Sequence, residues 1–135
     1  MKNLRRIRVV ASAIIKDKTL LVAQRAENMS YPLCWEVPGG KVEKGESDQE
    51  ALIRELQEEL AIEVEVQDLI GSSSVVTQNR VVDMFVYQCT ISKGIPKALE
   101  HKQLQWRKAE DLSSLQWAPA DIPLLSQLVD CTKGN

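Results

Sequence analysis

The stretch Gly40–Ile62, GKVEKGESDQEALIRELQEELAI, carries six glutamates in twenty-three residues, and their spacing decides how the chain reads. Taken as a helix from about Glu46 to Leu60, at ~100° per residue, it sorts its side chains into sectors. Leu52, Ile53, Leu56 and Leu60 share one arc, an apolar stripe that must pack on a core. Glu55, Glu58 and Glu59 stand at i, i+3 and i+4 on the adjacent arc, over Ala51, so their carboxylates are expected to converge. Glu50, Arg54 and Gln57 take the remaining, solvent-side arc. Converging carboxylates beside a buried face repel one another unless a cation sits among them. Oxygen ligands of this kind suit hard divalent cations such as Mg²⁺. The plainer reading is an amphipathic helix whose polar face happens to be rich in Glu.

The flanks favour the sharper reading. Pro38-Gly39-Gly40 precedes the helix, a backbone segment free to adopt unusual dihedrals. Arg54 lies four residues before Glu58 and can hold that carboxylate. The order Gly40, Glu46, Arg54-Glu55-Leu56, Glu58-Glu59 resembles the signature of the Nudix hydrolases, in their MutT-like branch. One position departs: the family has Gly where this chain has Ala61, at the helix end, where a left-handed turn is usual.

Length and composition agree with one soluble domain over 1–135. With 44% hydrophobic and 27% charged residues the chain is an ordinary globular protein long enough for a core. A net charge of −2 gives no electrostatic footprint for long nucleic acids. Cys34, Cys89 and Cys131 are odd in number and show no metal spacing, which points to a reducing compartment rather than a disulfide framework. The start MKNLRRIRVV is basic then apolar, but Ser12 breaks the apolar run and Lys16-Asp17-Lys18 ends it. No stretch reaches membrane-spanning length, so a cytoplasmic protein that meets no membrane is expected.

Residues 5–15 and 19–25 read as strands joined at Lys16-Asp17-Lys18 into a hairpin. Residues 26–33 read as a loop and 34–37 as a short extended segment. Strands are expected at 62–72 and 81–91, with Gln78-Asn79 as turn material, and at 103–107. One or two helical turns at 109–115 and an amphipathic helix at 121–129 complete the pattern. Strands mixed with two helices imply an α+β class, an α/β/α sandwich. The family resemblance implies the Nudix fold, a mixed sheet between helices.

The resemblance also implies site residues. Glu55, Glu58 and Glu59, with the Gly39 carbonyl, would bind Mg²⁺ or Mn²⁺. Arg54 would support them, and Glu46 would tie the loop to the helix; by physics alone Glu46 is equally a helix-start acid favoured by the macrodipole. The MutT-like branch places a Glu before a strand that carries a Trp, here Glu100 before Trp106. Glu100 is therefore a further metal ligand or base, and His101 a bystander. Arg25, at the end of LLVAQR, would reach nucleotide phosphates; Arg80 is a second cation, with a plain turn residue as the simpler reading. Asp121, before Pro123 and an apolar run, is by physics a helix N-cap. The resemblance gives it a second role, reading exocyclic amines of a base; chain position alone suggests Trp35 or Trp117 as stacking surfaces. The string APADIPLL is similar to the tail of the bacterial CTP pyrophosphohydrolase subgroup.

The implied activity is a Mg²⁺-dependent nucleoside triphosphate pyrophosphohydrolase, releasing nucleoside monophosphate and pyrophosphate. Its substrate would be a CTP or 5-methyl-dCTP type nucleotide, or an oxidised one such as 8-oxo-dGTP, in nucleotide-pool sanitation, by a monomer or homodimer. Two alternatives stand beside it: a hydrolase of another nucleoside diphosphate derivative, and a non-catalytic nucleotide-sensing module on the same fold.

Overall fold

The structure is a computed structural model that describes residues 3–134, so Met1 and Lys2 of the basic start lie outside the described residues. Its strands are β1 (Arg5–Lys16), β2 (Thr19–Gln24), β3 (Trp35–Glu36), β4 (Gly39–Lys41), β5 (Glu63–Thr77), β6 (Arg80–Lys93) and β7 (Gln103–Lys108). Its helices are α1 (Asp48–Leu60) and α2 (Leu125–Thr132), with 3₁₀ segments at Ala109–Ser114 and Ile122–Leu124. The sheet order is β3-β2-β1-β6-β5, with β4 added to β1 and β7 to β2. β1 runs parallel to β6 and antiparallel to β2 and β4, so the sheet is mixed.

Alternation along β1 and β2 builds the two faces. Val10, Ile14 and Leu21 point to one side, where they meet Ala51, Leu52, Leu56 and Leu60 of α1. Ala11, Ala13, Leu20 and Val22 point to the other, where they meet Leu112, Trp117, Leu124 and Leu128 from the C-terminal segment. Helical elements thus cover both faces, the α/β/α arrangement the pattern implied. Leu52, Leu56 and Leu60 are fully buried, which contributes about 2 kcal/mol each from removal of apolar surface from water.

Several boundaries differ from the sequence expectation. α1 begins at Asp48 rather than Glu46, because Ser47 is its N-cap: Glu50 N donates to Ser47 Oγ at 3.1 Å, and Ser47 N to Glu50 Oε1 at 2.9 Å. This capping box was legible as Ser-x-x-Glu and uses Glu50 as a cap. β5 and β6 run on to Thr77 and from Arg80, leaving the left-handed Gln78-Asn79 as a two-residue turn. The C-terminal helix starts late, at Leu125, because Pro123 restricts the residues before it and the chain first makes a 3₁₀ turn.

Ala61 ends α1 at φ 58° and ψ 39°, with its N–H donating to Gln57 O at 3.1 Å. The left-handed turn is kept although the glycine is absent. A Cβ in that region costs roughly 1–2 kcal/mol, of which glycine's larger unfolded-state entropy gives back about half. Ala61→Gly is therefore expected to stabilise by roughly 0.5–1 kcal/mol and raise the melting temperature by roughly 2–4 °C. A thermal melt of the variant beside the parent checks this; a lower melting temperature would place the strain elsewhere.

Candidate active site

The segment after β3 is clamped from two directions. The carbonyl of Pro38 accepts from Ser12 N and from the buried Ser12 hydroxyl, both at 2.8 Å. Gly39 and Gly40 then pair with Ala11 and Val10 of β1. A Cβ on Gly39 would lie 2.0 Å from the Val10 carbonyl oxygen, and one on Gly40 would lie 2.3 Å from the carboxyl of Glu55. The first glycine permits backbone contact; the second permits the Glu55 carboxyl to lie flat on the strand. Gly39→Ala is expected to destabilise by roughly 1–3 kcal/mol or more, since backbone must move. Gly40→Ala displaces only a side chain and is expected to melt close to the parent. Thermal melts of the two variants separate these outcomes.

Arg54 organises the acidic helix from within, not from its solvent side. Its Nε and Nη2 donate to both oxygens of Glu46 at 2.7 and 2.9 Å, and Nη2 also reaches Lys41 O at 3.1 Å. Its Nη1 donates to Glu55 at 2.9 Å and, more weakly, to Glu58 at 3.4 Å. Glu46, two residues before the helix, is thus a tie between loop and helix. The Arg54 guanidinium and the Glu43 N–H hold its carboxyl down to about 2. The three glutamates do not form a closed set: Glu58 is 55% exposed at its side chain, while Glu59 is 9% exposed. Among the described residues no three acidic, His or Cys side chains stand in ready-made ligand geometry. The physical reason is like-charge repulsion, which Arg54 relieves for Glu55 and Glu58 but not for Glu59.

Glu59 is the strained member. Burial first, then hydrogen bonding and charge from Glu55, then the charges of Glu36 and Glu100, push its carboxyl up to about 10. Its Oε1 is buried without a hydrogen-bond partner. Glu100 reaches this neighbourhood because its loop is stitched to the helix end: Lys97 N donates to Leu60 O at 3.0 Å and Leu99 N to Glu59 O at 3.2 Å. An orphaned carboxylate oxygen, a glycine backbone cradle under the Glu55 carboxyl, and an all-oxygen donor set fit a hard divalent cation. Glu55, Glu58, Glu59, Glu100 and the Gly39 carbonyl are the groups that could hold it.

A cleft runs from Glu59 and Glu100. One part, of about 210 Å³, is lined by Gly39, Gly40, Glu59, Glu100, His101 and Arg25; the next, of about 150 Å³, by Tyr31, Arg80, Thr77 and Pro119. Arg25, Glu36, Asp121, Val9 and Met84 line both parts. A larger hollow of about 300 Å³ between Ile14, Ile91, Pro96 and Trp106 is apolar and lies away from the acidic groups.

Four expectations are corrected here. Asp121 is not a side-chain cap: its Oδ2 accepts from Val37 N at 3.0 Å, across the sheet, and burial pushes its carboxyl well above the usual carboxylate range. It reaches Val37 because Trp35 N donates to Gln116 O and Ala118 N to Trp35 O, both at 2.8 Å. Trp35 and Trp117 are core residues, 8% and 6% exposed, and Trp117 Nε1 is spent on Leu112 O at 2.7 Å. His101 is no bystander: it is buried, with Nε2 2.8 Å from Glu36 Oε2. Arg80 is more than turn material, since it lines the cleft. Arg25 also lines it, held by Glu36 at 2.7 Å and by Ser30; three of its five N–H groups are used. Glu36 escaped the sequence reading. Its one signal was an acidic residue inside a buried segment, between Trp35 and Val37.

Comparison with known proteins shows the family and the fold. A family model described as NUDIX domain matches residues 5–128. A protein of Mycobacterium tuberculosis (strain CDC 1551 / Oshkosh) named putative 8-oxo-dGTP diphosphatase 2 is 38% identical over 94% of this chain and 91% of its own length. The CTP pyrophosphohydrolase of Escherichia coli (strain K12) is 40% identical over 88% of each. The solution structure of the E. coli ORF135 protein superposes with a TM-score of 0.82 at 36% identity, covering 94% of this chain and 91% of that one.

Proposed function

Because this chain belongs to the Nudix hydrolase family, we propose that its cleft hydrolyses a nucleoside triphosphate to the monophosphate and pyrophosphate. It is an enzyme of nucleotide-pool sanitation, with CTP, 5-methyl-dCTP or 8-oxo-dGTP as the substrate class. The reading is carried by one observation: the cleft has a carboxylate part with Glu59 and Glu100 and a second part with Tyr31 and Arg80, and Arg25, Glu36 and Asp121 line both. Triphosphate and base therefore have separate, chemically suited places. We take residues 1–135 as one catalytic domain.

Glu55, Glu58, Glu59 and Glu100, with the Gly39 carbonyl, are the proposed ligands of Mg²⁺ or Mn²⁺. Such an ion, when bound, screens phosphate charge and acidifies a water. Arg54 keeps Glu55 and Glu58 turned toward one another and tied to the loop through Glu46. Glu100, on the stitched loop, is the further ligand or the base that takes the water's proton. Arg25 has two N–H groups left for phosphate oxygens, and its guanidinium is held in place by Glu36. Arg80 gives positive charge beside the base. Asp121 presents a buried carboxyl to an exocyclic amine, as acceptor. Gly40→Ala, by moving Glu55, is expected to lower kcat by about 10- to 100-fold, the usual cost of misplacing a reacting constellation.

The test is pyrophosphate release from CTP, 5-methyl-dCTP and 8-oxo-dGTP, with and without Mg²⁺, beside a nucleoside diphosphate sugar. Turnover of the sugar nucleotide alone, or release of orthophosphate in place of pyrophosphate, would overturn the assignment. Asp121→Asn refines it. The amide can still accept from Val37 N, but one of its two ends becomes a donor. The ranking of kcat/KM across the three nucleotides is expected to change by about 1–3 kcal/mol of discrimination, with the fold retained. An unchanged ranking would put base selection elsewhere.

A further inference from the structure

His101 is the chain's one histidine, and its ring is 2% exposed. Nε2 lies 2.8 Å from Glu36 Oε2, and the other oxygen of Glu36 accepts from Arg25 Nη1 at 2.7 Å. On its opposite edge, Nδ1 has no hydrogen-bond partner and lies 4.0 Å from Glu59 Oε1, which has none either. Buried polar atoms without partners are rare and costly. Here two of them face each other at the wall of the carboxylate part of the cleft. The ring cannot swing away easily, because the loop that carries it is bonded on both sides: Leu99 N to Glu59 O, and Lys102 N to Gln24 O at 2.9 Å.

We propose that His101 is a positioning residue that couples Arg25, on the wall shared by both parts of the cleft, to Glu59 in its carboxylate part. The contact with Glu36 orients the ring and, through Glu36, the Arg25 guanidinium that faces the phosphates. The Nδ1 edge, so oriented, sets where the Glu59 carboxylate rests. A rigid five-membered ring with nitrogen on two edges suits such a bridge, since fixing one edge fixes the other. A packing residue alone would need neither nitrogen. The proposal rests on the assignment of Glu59 and Arg25 made above.

A single histidine makes the test clean. In protein labelled with ¹⁵N, the imidazole gives one pair of ring-nitrogen resonances, read at a fixed pH. Glu36→Gln is expected to move the Nε2 resonance in metal-free protein. Mg²⁺ alone, without nucleotide, is expected to move Nδ1. Kinetics then split the two arms. The His101→Gln amide reaches about as far as Nε2, so KM for the nucleotide is expected to hold while half-saturating Mg²⁺ rises about tenfold. The His101→Asn amide reaches about as far as Nδ1, so KM is expected to rise about tenfold while the Mg²⁺ requirement holds. Variants that alter only the melting temperature, or that move the same parameter together, overturn the coupling. If Mg²⁺ activates the enzyme and leaves Nδ1 unmoved, the coupling falls and the metal assignment stands. If the protein takes up no Mg²⁺, both fall.

Discussion

Removal of divalent cations with EDTA is expected to abolish pyrophosphate release, and added Mg²⁺ or Mn²⁺ to restore it. The reason is the charge balance at the carboxylate end. Glu55, Glu36 and Glu100 press on Glu59 there, and the cations bonded to this group are already spent, Arg54 on Glu46 and Glu55 and Arg25 on Glu36. A triphosphate brings further negative charge to the same place. Without a cation, both assembly of the complex and stabilisation of the departing pyrophosphate lose several kcal/mol, which is ~10³-fold or more in rate. Turnover that persists undiminished in metal-free buffer would sink this account of the cleft. Nudix hydrolases generally use a divalent metal; which one this enzyme prefers is read from the same titration.

Along one helix, acids of the same type are expected to differ by orders of magnitude. Glu59→Gln and Glu58→Gln are each expected to lower kcat by ~10²–10⁴-fold, the cost of losing one of the charged ligands proposed above. Glu50→Gln is expected to change it by less than about twofold, since Gln still accepts from Ser47 N and completes the cap. The melting temperatures should run differently from the rates. Glu59 is a buried carboxyl hemmed by other carboxylates, so its neutral amide is expected to unfold no earlier than the parent. Glu58, more than half exposed, is expected to be neutral for stability. Loss of activity without loss of stability at Glu59 is the mark of strain held for function. Equal kinetic losses at Glu50 and Glu58 would mean that the helix presents a different face to the cleft.

Much of the site was legible because its signal is local. The i, i+3, i+4 spacing of Glu55, Glu58 and Glu59, the leucines at 52, 56 and 60, and the alternation along β1 and β2 follow from the helical and strand periods, which act over a few residues. So does the Ser47-Glu50 cap, which the sequence contained and the reading passed over. The wheel alone put Arg54 on the solvent side, because a wheel knows nothing of the loop at Glu46 that folds back to meet it.

The residue pattern alone was enough for the class of fold, the acidic helix and its apolar seat, and the family. Only the tertiary structure decided which distant groups complete the cleft. Asp121 meets Val37 across 84 residues, and His101 meets Glu36 across 65. Those meetings depend on sheet register and on the Trp35–Trp117 bridge, which no short window of sequence encodes. Ala61 makes the same point from the other side. Local propensity disfavours a left-handed alanine, yet the chain adopts it. Leu60 before it and Ile62 after it are both buried, and the packing they gain outweighs the strain of one residue.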